Sequence, residues 1–250
     1  EFLAGVRAGE TIGAPIAMMI RNKDWKNWEA IMDPAPRPED DAPEGRKRQV
    51  TRVRPGHADL TGVLKFDRED ARDILERASA RETTARVAAG AVARRLLAEF
   101  GVRIGSHLVH LGGVDARASS LPDDINAAAD ESPLRCLDAE AEREMIARID
   151  AAKAEGNTLG GICEVVVTGL PVGLGAHVSW DRKLDGRLAA AICSIPAVKG
   201  VEMGLGFEAA RRTGAEVHDE IEPAPGSPRT GNVRRRTNRA GGLEGGMTTG

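Results

Sequence analysis

Tyrosine is missing altogether from this chain of 250 residues, and the other aromatics amount to four phenylalanines and three tryptophans. The core must therefore be filled by Val, Leu, Ile and Ala, with little aromatic stacking to fix it. Cysteine is equally sparse. Cys136, Cys163 and Cys193 show no metal-ligand spacing and no disulfide framework, which fits a reducing compartment. Cys163 and Cys193 lie in apolar runs, as expected of buried small hydrophobes. No metal is assigned, because His107, His110, His177 and His218 are scattered without a second ligand at a usable spacing. No apolar run approaches the ~20 residues that cross a bilayer, so no membrane association is expected. The net charge is −3, so no overall field recruits nucleic acid or an acidic membrane surface. A strand–GxGxxG–helix unit is also lacking, which removes a dinucleotide-binding Rossmann fold.

What is present is a series of short strands and helices punctuated by glycine, the pattern of a mixed α+β fold. Residues 1–32 read as strand, turn, strand and a short helical stretch, with Pro15–Ile20 strand-like. Residues 33–54 hold Pro34, Pro36, Pro38 and Pro43 among acids and predict a flexible, solvated loop. Ser79 followed by Glu82 has the spacing of a capping box. It predicts a long helix to about Phe100, stopped by Gly101, with Val87, Ala91 and Leu97 on its apolar stripe. A strand over 102–111 follows, then a loop-rich stretch over 112–138. Next comes a helix over 139–155 with Met145, Ile146, Ile149 and Ala152 on one face. Residues 161–180 predict two strands joined at Gly169–Gly175, and 184–192 a helix. A glycine-broken strand over 201–207, a short helix over 208–213 and a Pro/Gly/Arg loop over 222–236 complete the pattern. Trp25, Trp28 and Trp180 are expected to be packing anchors. The chain opens at Glu1-Phe2 inside a strand-like run and stops at Gly250 straight after a glycine-rich run, so both ends read as cuts in a longer protein.

Three places carry chemistry. In Arg54-Pro-Gly-His57-Ala-Asp59, Pro55 and Gly56 fix a turn, and Asp59 is placed to hold one imidazole nitrogen of His57. Such a histidine can donate a proton near neutral pH; it can equally be a loop histidine bonded to backbone. Arg77, Ser79 and Arg81 gather at the predicted helix start, where free N–H groups, the helix dipole and forked guanidinium donors suit an anion. The alternative is that Arg77 and Arg81 simply pair with Glu76 and Glu82. The run from Arg234 to Gly246 mixes basic groups with close-approach glycines, as an ordered ligand site, a linker or an RNA-binding stretch would.

Several runs, taken in order, resemble one family. They include Gly5-Val-Arg-Ala-Gly9, Arg21-Asn-Lys-Asp-Trp25, Arg54-Pro-Gly-His-Ala-Asp59 and Glu76-Arg-Ala-Ser-Ala-Arg-Glu-Thr83. Gly156-Asn-Thr-Leu-Gly-Gly161, Gly169-Leu-Pro-Val-Gly-Leu-Gly175, Ser194-Ile-Pro-Ala-Val-Lys-Gly-Val-Glu202 and Thr237-Asn-Arg-Ala-Gly-Gly242 continue the series. The chain resembles chorismate synthase along essentially its whole length.

That resemblance implies a single domain over 1–250, cut at both ends, with the 33–54 loop inside it and a β-α-β sandwich fold. It implies a phosphate lyase that makes chorismate from 5-enolpyruvylshikimate 3-phosphate by anti-1,4-elimination, the last step of the shikimate pathway. Reduced FMN is the implied cofactor, with NADP associated through flavin reduction. The implied setting is the cytoplasm and the implied assembly a homotetramer. Residue by residue, His57 matches a histidine beside the flavin. Arg77, Ala78 and Ser79 match an FMN-contacting run, Pro196 and Ala197 a second and Gly246 a third, while Arg81 lies on the substrate side. The family's Gly-Glu-Ser-His-Gly run and Lys-Pro-Ile segment have no counterpart in these 250 residues. The piece alone is therefore expected to lack turnover. The competing expectation is a non-enzymatic anion- or RNA-binding α+β module.

Overall fold

Strands of two or three residues open the chain. The protein is described here from a computed structural model, which covers residues 1–35, 49–78, 80–118 and 120–250. Most of the predicted flexible loop and the Ser79 half of the predicted capping box therefore lie outside the described residues. The chain divides into two compact units, Glu1–Val92 with Ile195–Ala197, and Ala93–Ser194 with Val198–Gly250.

In the first unit, β1 (Phe2–Ala4) pairs antiparallel with β4 (Ala17–Met18), and β2 (Val6–Arg7) with β3 (Glu10–Thr11). The β2–β3 hairpin turns through Ala8 and Gly9 at φ 53° and 83°, the left-handed pair that suits a two-residue loop. A 3-10 turn over Trp25–Asn27 leads into α1 (Glu29–Met32). Trp28 is held there, its Nε1 donating to Asp24 at 2.5 Å while the Arg72 guanidinium stacks 4.4 Å from its ring centre. Trp25 is an exposed residue rather than an anchor.

Two helices, α2 (Asp59–Phe66) and α3 (Arg72–Leu75), separate the histidine turn from the long helix. Hydrophobic periodicity does not announce α2, because its buried positions are Asp59 and Gly62 while Leu60, Leu64 and Phe66 face solvent. Gly62 is where α2 closes on α3: a Cβ there would lie 2.5 Å from the Ile74 side chain. The predicted long helix forms as α4 (Ala80–Glu99), and Gly101 follows it at φ 78°. Its apolar stripe is only partly covered within the described residues: Leu97 is half-buried, whereas Val87 is 67% exposed.

The second unit is built on β5 (Arg103–Leu111), the middle strand of an antiparallel sheet that includes β6 (Val114–Asp115) and β7 (Gly161–Thr168). The helix α5 (Ile125–Asp130) packs on β5, with Ile125 occupying the space that a side chain at Gly105 would take. The predicted 139–155 helix is α6 (Ala139–Ala154). It begins where Asp138 accepts the N–H groups of Glu140 at 3.0 Å and Ala141 at 3.1 Å. Met145 and Ala152 of its apolar face are buried, whereas Ile146 is exposed. The core gathers Leu108, Val114, Cys136, Ala141 and Met145, with Leu111, Ala116 and Leu134 against it. It contains no aromatic residue.

Four expectations fail in this unit. No second strand follows β7, because the chain turns through Gly169, Gly173 and Gly175 at φ 78°, 88° and 93°; it meets Met247 and Thr248 by an isolated bridge from Gly175 and by backbone hydrogen bonds from Gly173 and to Leu174. No strand forms over 201–207, because Gly204 and Gly206 at φ 58° and 53° bend the chain into a 3-10 turn over Gly206–Arg211. The predicted 222–236 loop contains a hairpin, described below. Cys163, Cys193 and Trp180 are exposed, so none is a core residue within the described chain.

The helix predicted over 184–192 is present as α7 (Leu184–Cys193), and α8 (Gly214–Val217) follows behind a capping box formed by Thr213 and Glu216. The C-terminal strands are β8 (Ile221–Pro223) with β9 (Val233–Arg235), and β10 (Leu243–Glu244) with β11 (Met247–Thr248). No helix among the described residues is long and apolar enough to cross a membrane.

Candidate active site

The Pro55-Gly56 turn projects His57 from the start of α2. Its base is closed by an ion pair between the half-exposed Arg54 and the buried Asp59. Asp59 accepts the Arg54 backbone N–H at 3.1 Å, its Nε–H at 2.9 Å and its Nη2–H at 3.1 Å. The hydrogen-bonded Arg54 side chain holds the Asp59 carboxyl below the usual carboxylate range, against the opposing effect of burial. This corrects the expectation that Asp59 braces the imidazole. His57 is exposed and is held by Pro55, whose carbonyl lies 3.0 Å from Nδ1. A carbonyl only accepts, so Nδ1 carries a proton and Nε2 is the nitrogen left to gain or lose one. Gly56, at φ 74°, supplies the left-handed step that the turn requires.

The two arginines near the α4 start behave differently. Arg81 is paired with Glu76, and Glu82 is occupied by Arg86 at 2.7 and 2.8 Å. Arg77 is exposed and has no side-chain partner among the described residues. The ion-pair alternative therefore holds for Arg81 and not for Arg77. Ala78 is half-buried, its N–H donating to the Ile74 carbonyl at 3.2 Å. Ser79 lies outside the described residues.

Pro196 and Ala197 fall in the same compact unit as His57, Arg77 and Arg81, although more than a hundred residues separate them in sequence. Both are exposed, and Ala197 adopts φ 70°, a left-handed conformation costly for a residue with a Cβ. Gly246 belongs to the second unit. It is buried, its carbonyl accepts the Leu184 N–H at 2.8 Å, and a Cβ on it would come within 2.6 Å of the Lys183 side chain.

The arginine run is paired with glutamates in and around the β8–β9 hairpin. Arg234 donates to Glu222 at 3.1 Å, Arg235 makes a forked pair with Glu244 at 2.8 and 2.6 Å, and Arg236 pairs with Glu220. Asp219 accepts from Thr237 Oγ1 at 2.5 Å and from the N–H groups of Arg239 and Ala240 at 2.8 and 3.0 Å. Beside it lies an open depression of about 240 Å³ lined by His218, Glu220, Arg236 and Arg239 among others. The paired glutamates offset the positive charge of this run, which weakens the support for an RNA module. Among the described residues there is no cluster of three or more His, Cys, Asp or Glu placed to hold a metal.

The family model for chorismate synthase matches residues 1–250, the whole chain. This chain belongs to the chorismate synthase family. It is 56% identical to the chorismate synthase of Brevibacillus brevis, 53% to that of Bacillus subtilis and 56% to that of Geobacillus thermodenitrificans, in each case over all of this chain and 63% of the relative. The chain thus spans 63% of the length of the curated chorismate synthases it matches. A chorismate synthase crystal structure superimposes with a TM-score of 0.80 at 42% identity, covering all of this chain and 67% of the other. The α+β fold is therefore that of the chorismate synthases.

Proposed function

We propose that the protein to which these 250 residues belong acts as a chorismate synthase, eliminating phosphate from 5-enolpyruvylshikimate 3-phosphate to give chorismate with reduced FMN. The observation that carries the proposal is the match to the family along all 250 residues. Reduced FMN, when bound, supplies electron density to the reacting system and takes it back, so no net redox change is needed. The residues present suit an anionic flavin. Arg77 offers an exposed guanidinium with no carboxylate partner among the described residues, and Ala78, Ser79, Pro196 and Ala197 are proposed to complete the contact. Gly246 enters through resemblance alone, since its packing beside Lys183 already accounts for a glycine there.

His57 is proposed as the proton donor. With Nδ1–H kept on the Pro55 carbonyl, Nε2 is the nitrogen from which a proton would pass to the bound flavin and to which it would return. Arg81 is proposed to meet the substrate by exchanging Glu76 for a substrate carboxylate or phosphate. In the reaction a C–O bond to phosphate and a C–H bond break, phosphate and a proton leave, and a new double bond forms. A homotetramer in the cytoplasm is the proposed setting.

Anaerobic titration of the protein with FMN in both redox states tests the cofactor assignment. Tighter binding of the reduced flavin is expected. Indifference to flavin together with strongly salt-dependent RNA binding would support the rival module instead.

A further inference from the structure

We propose that Asp59 is a positioning residue for the reaction, acting through Arg54 to present the His57 imidazole. This rests on the functional proposal above. Asp59 is the first residue of α2 and is fully buried, yet its recorded hydrogen bonds do not serve that helix. All three run backward to one residue, Arg54, through its backbone N–H, Nε–H and Nη2–H. The Ala58 carbonyl receives Gly62 N–H at 2.7 Å, so the first helical bond of α2 forms without the carboxylate. What the ion pair closes is the six-residue loop from Arg54 to Asp59, with His57 exposed inside it.

The loop holds the imidazole by one main-chain contact, Nδ1 to the Pro55 carbonyl. Pro55 follows Arg54 directly, and His57 precedes Asp59 by two residues. Fixing Arg54 against Asp59 therefore fixes both ends of the segment that carries the donor and its acceptor. A buried carboxylate whose partner is a half-exposed guanidinium is a poor source of stability, because desolvation offsets much of the attraction. Its geometry serves orientation better, since a three-point contact locks a turn that Gly56 would otherwise leave loose.

The test uses Asp59→Asn, which keeps shape and removes the charge that holds the guanidinium fork. Anaerobic turnover with reduced FMN is measured beside the nitrogen chemical shifts of the His57 ring. The expected result is a fall in kcat of roughly 10- to 100-fold with a much smaller change in KM, and His57 nitrogen shifts that move toward each other as the Nδ1–H tautomer loses its hold. Arg54→Lys should give the same pattern, and the double variant should be no worse than the poorer single variant. A folded Asp59→Asn with parental kcat and parental His57 shifts would overturn the inference. If Asp59→Asn does not fold, Arg54→Lys decides: parental values in that variant overturn the inference equally. All variants are made in the protein as its gene encodes it; if that protein itself shows no turnover, the functional proposal fails, and the ring shifts still report whether Asp59 holds His57.

Discussion

The carbonyl of Gly246 accepts the Leu184 N–H at 2.8 Å, so the first turn of α7 is completed by a glycine 62 residues further along the chain. Gly246 has φ 84° and no room for a Cβ beside Lys183. Gly246→Ala should therefore destabilise the protein by about 1–3 kcal/mol through overpacking, with backbone strain added. Gly226, at φ 90° with open space around it, is the control. Gly226→Ala should cost only the strain of about 1–2 kcal/mol. Denaturant unfolding of the two variants separates crowding from strain, and equal losses would show that the Lys183 contact does not matter.

His57→Ala should fold as the parent does, because the side chain is exposed and its recorded hydrogen bond is the single contact with Pro55. Turnover should drop roughly 100-fold or more, the scale for losing a positioned proton donor. Substrate affinity should change far less. Near-parental turnover with unchanged circular dichroism would make His57 a structural turn residue.

Arg77 and Arg81 should separate cleanly. Arg77→Ala should weaken reduced-FMN binding roughly tenfold or more, as expected for loss of a charge-assisted contact. Arg81→Ala should raise substrate KM, while Glu76→Gln, by removing the carboxylate that Arg81 holds, should lower it. Flavin fluorescence and steady-state kinetics measure these effects. An Arg77→Ala protein with parental flavin affinity would end the anion-site assignment.

The Arg54–Asp59 pair also predicts a pH dependence. The Asp59 carboxyl is held below its ordinary value of 3.8, first by the Arg54 side-chain hydrogen bond. A depressed folded value means that the stabilisation is fully present above the unfolded value and is lost as pH falls through the folded one. The stability gap between the parent and Asp59→Asn should therefore be constant near neutral pH and close below about 3.8. Urea midpoints measured down the pH scale check this, and a gap that widens on acidification would contradict it.

Elements with local punctuation were legible in the sequence. Gly101 marked the end of α4, and the helical repeat through Met145, Ile149 and Ala152 marked α6. The strands β5 and β7, remote partners of each other, were legible too, whereas the β8–β9 hairpin was not. Arg234 and Arg235 looked like loop because they are held by glutamates, Glu222 across the hairpin and Glu244 on β10, rather than by apolar alternation. The apolar run at Val201 looked like a strand, but Gly204 fits against the Arg239 carbonyl, where a Cβ would lie 2.1 Å away. The helix α2 was hidden because it buries an aspartate and a glycine. At the site, His57 and Arg77 stood out by residue type and turn chemistry. The Arg54 partnership of Asp59 did not, since a nearer histidine competed for the same carboxylate.

The most direct test of the functional proposal is phosphate release and chorismate formation under anaerobic conditions, measured on the protein as its gene encodes it. With 5-enolpyruvylshikimate 3-phosphate and reduced FMN, the two products should appear in equal amounts, and oxidised FMN should give neither. A folded protein that binds reduced FMN and substrate but releases no phosphate would contradict the account.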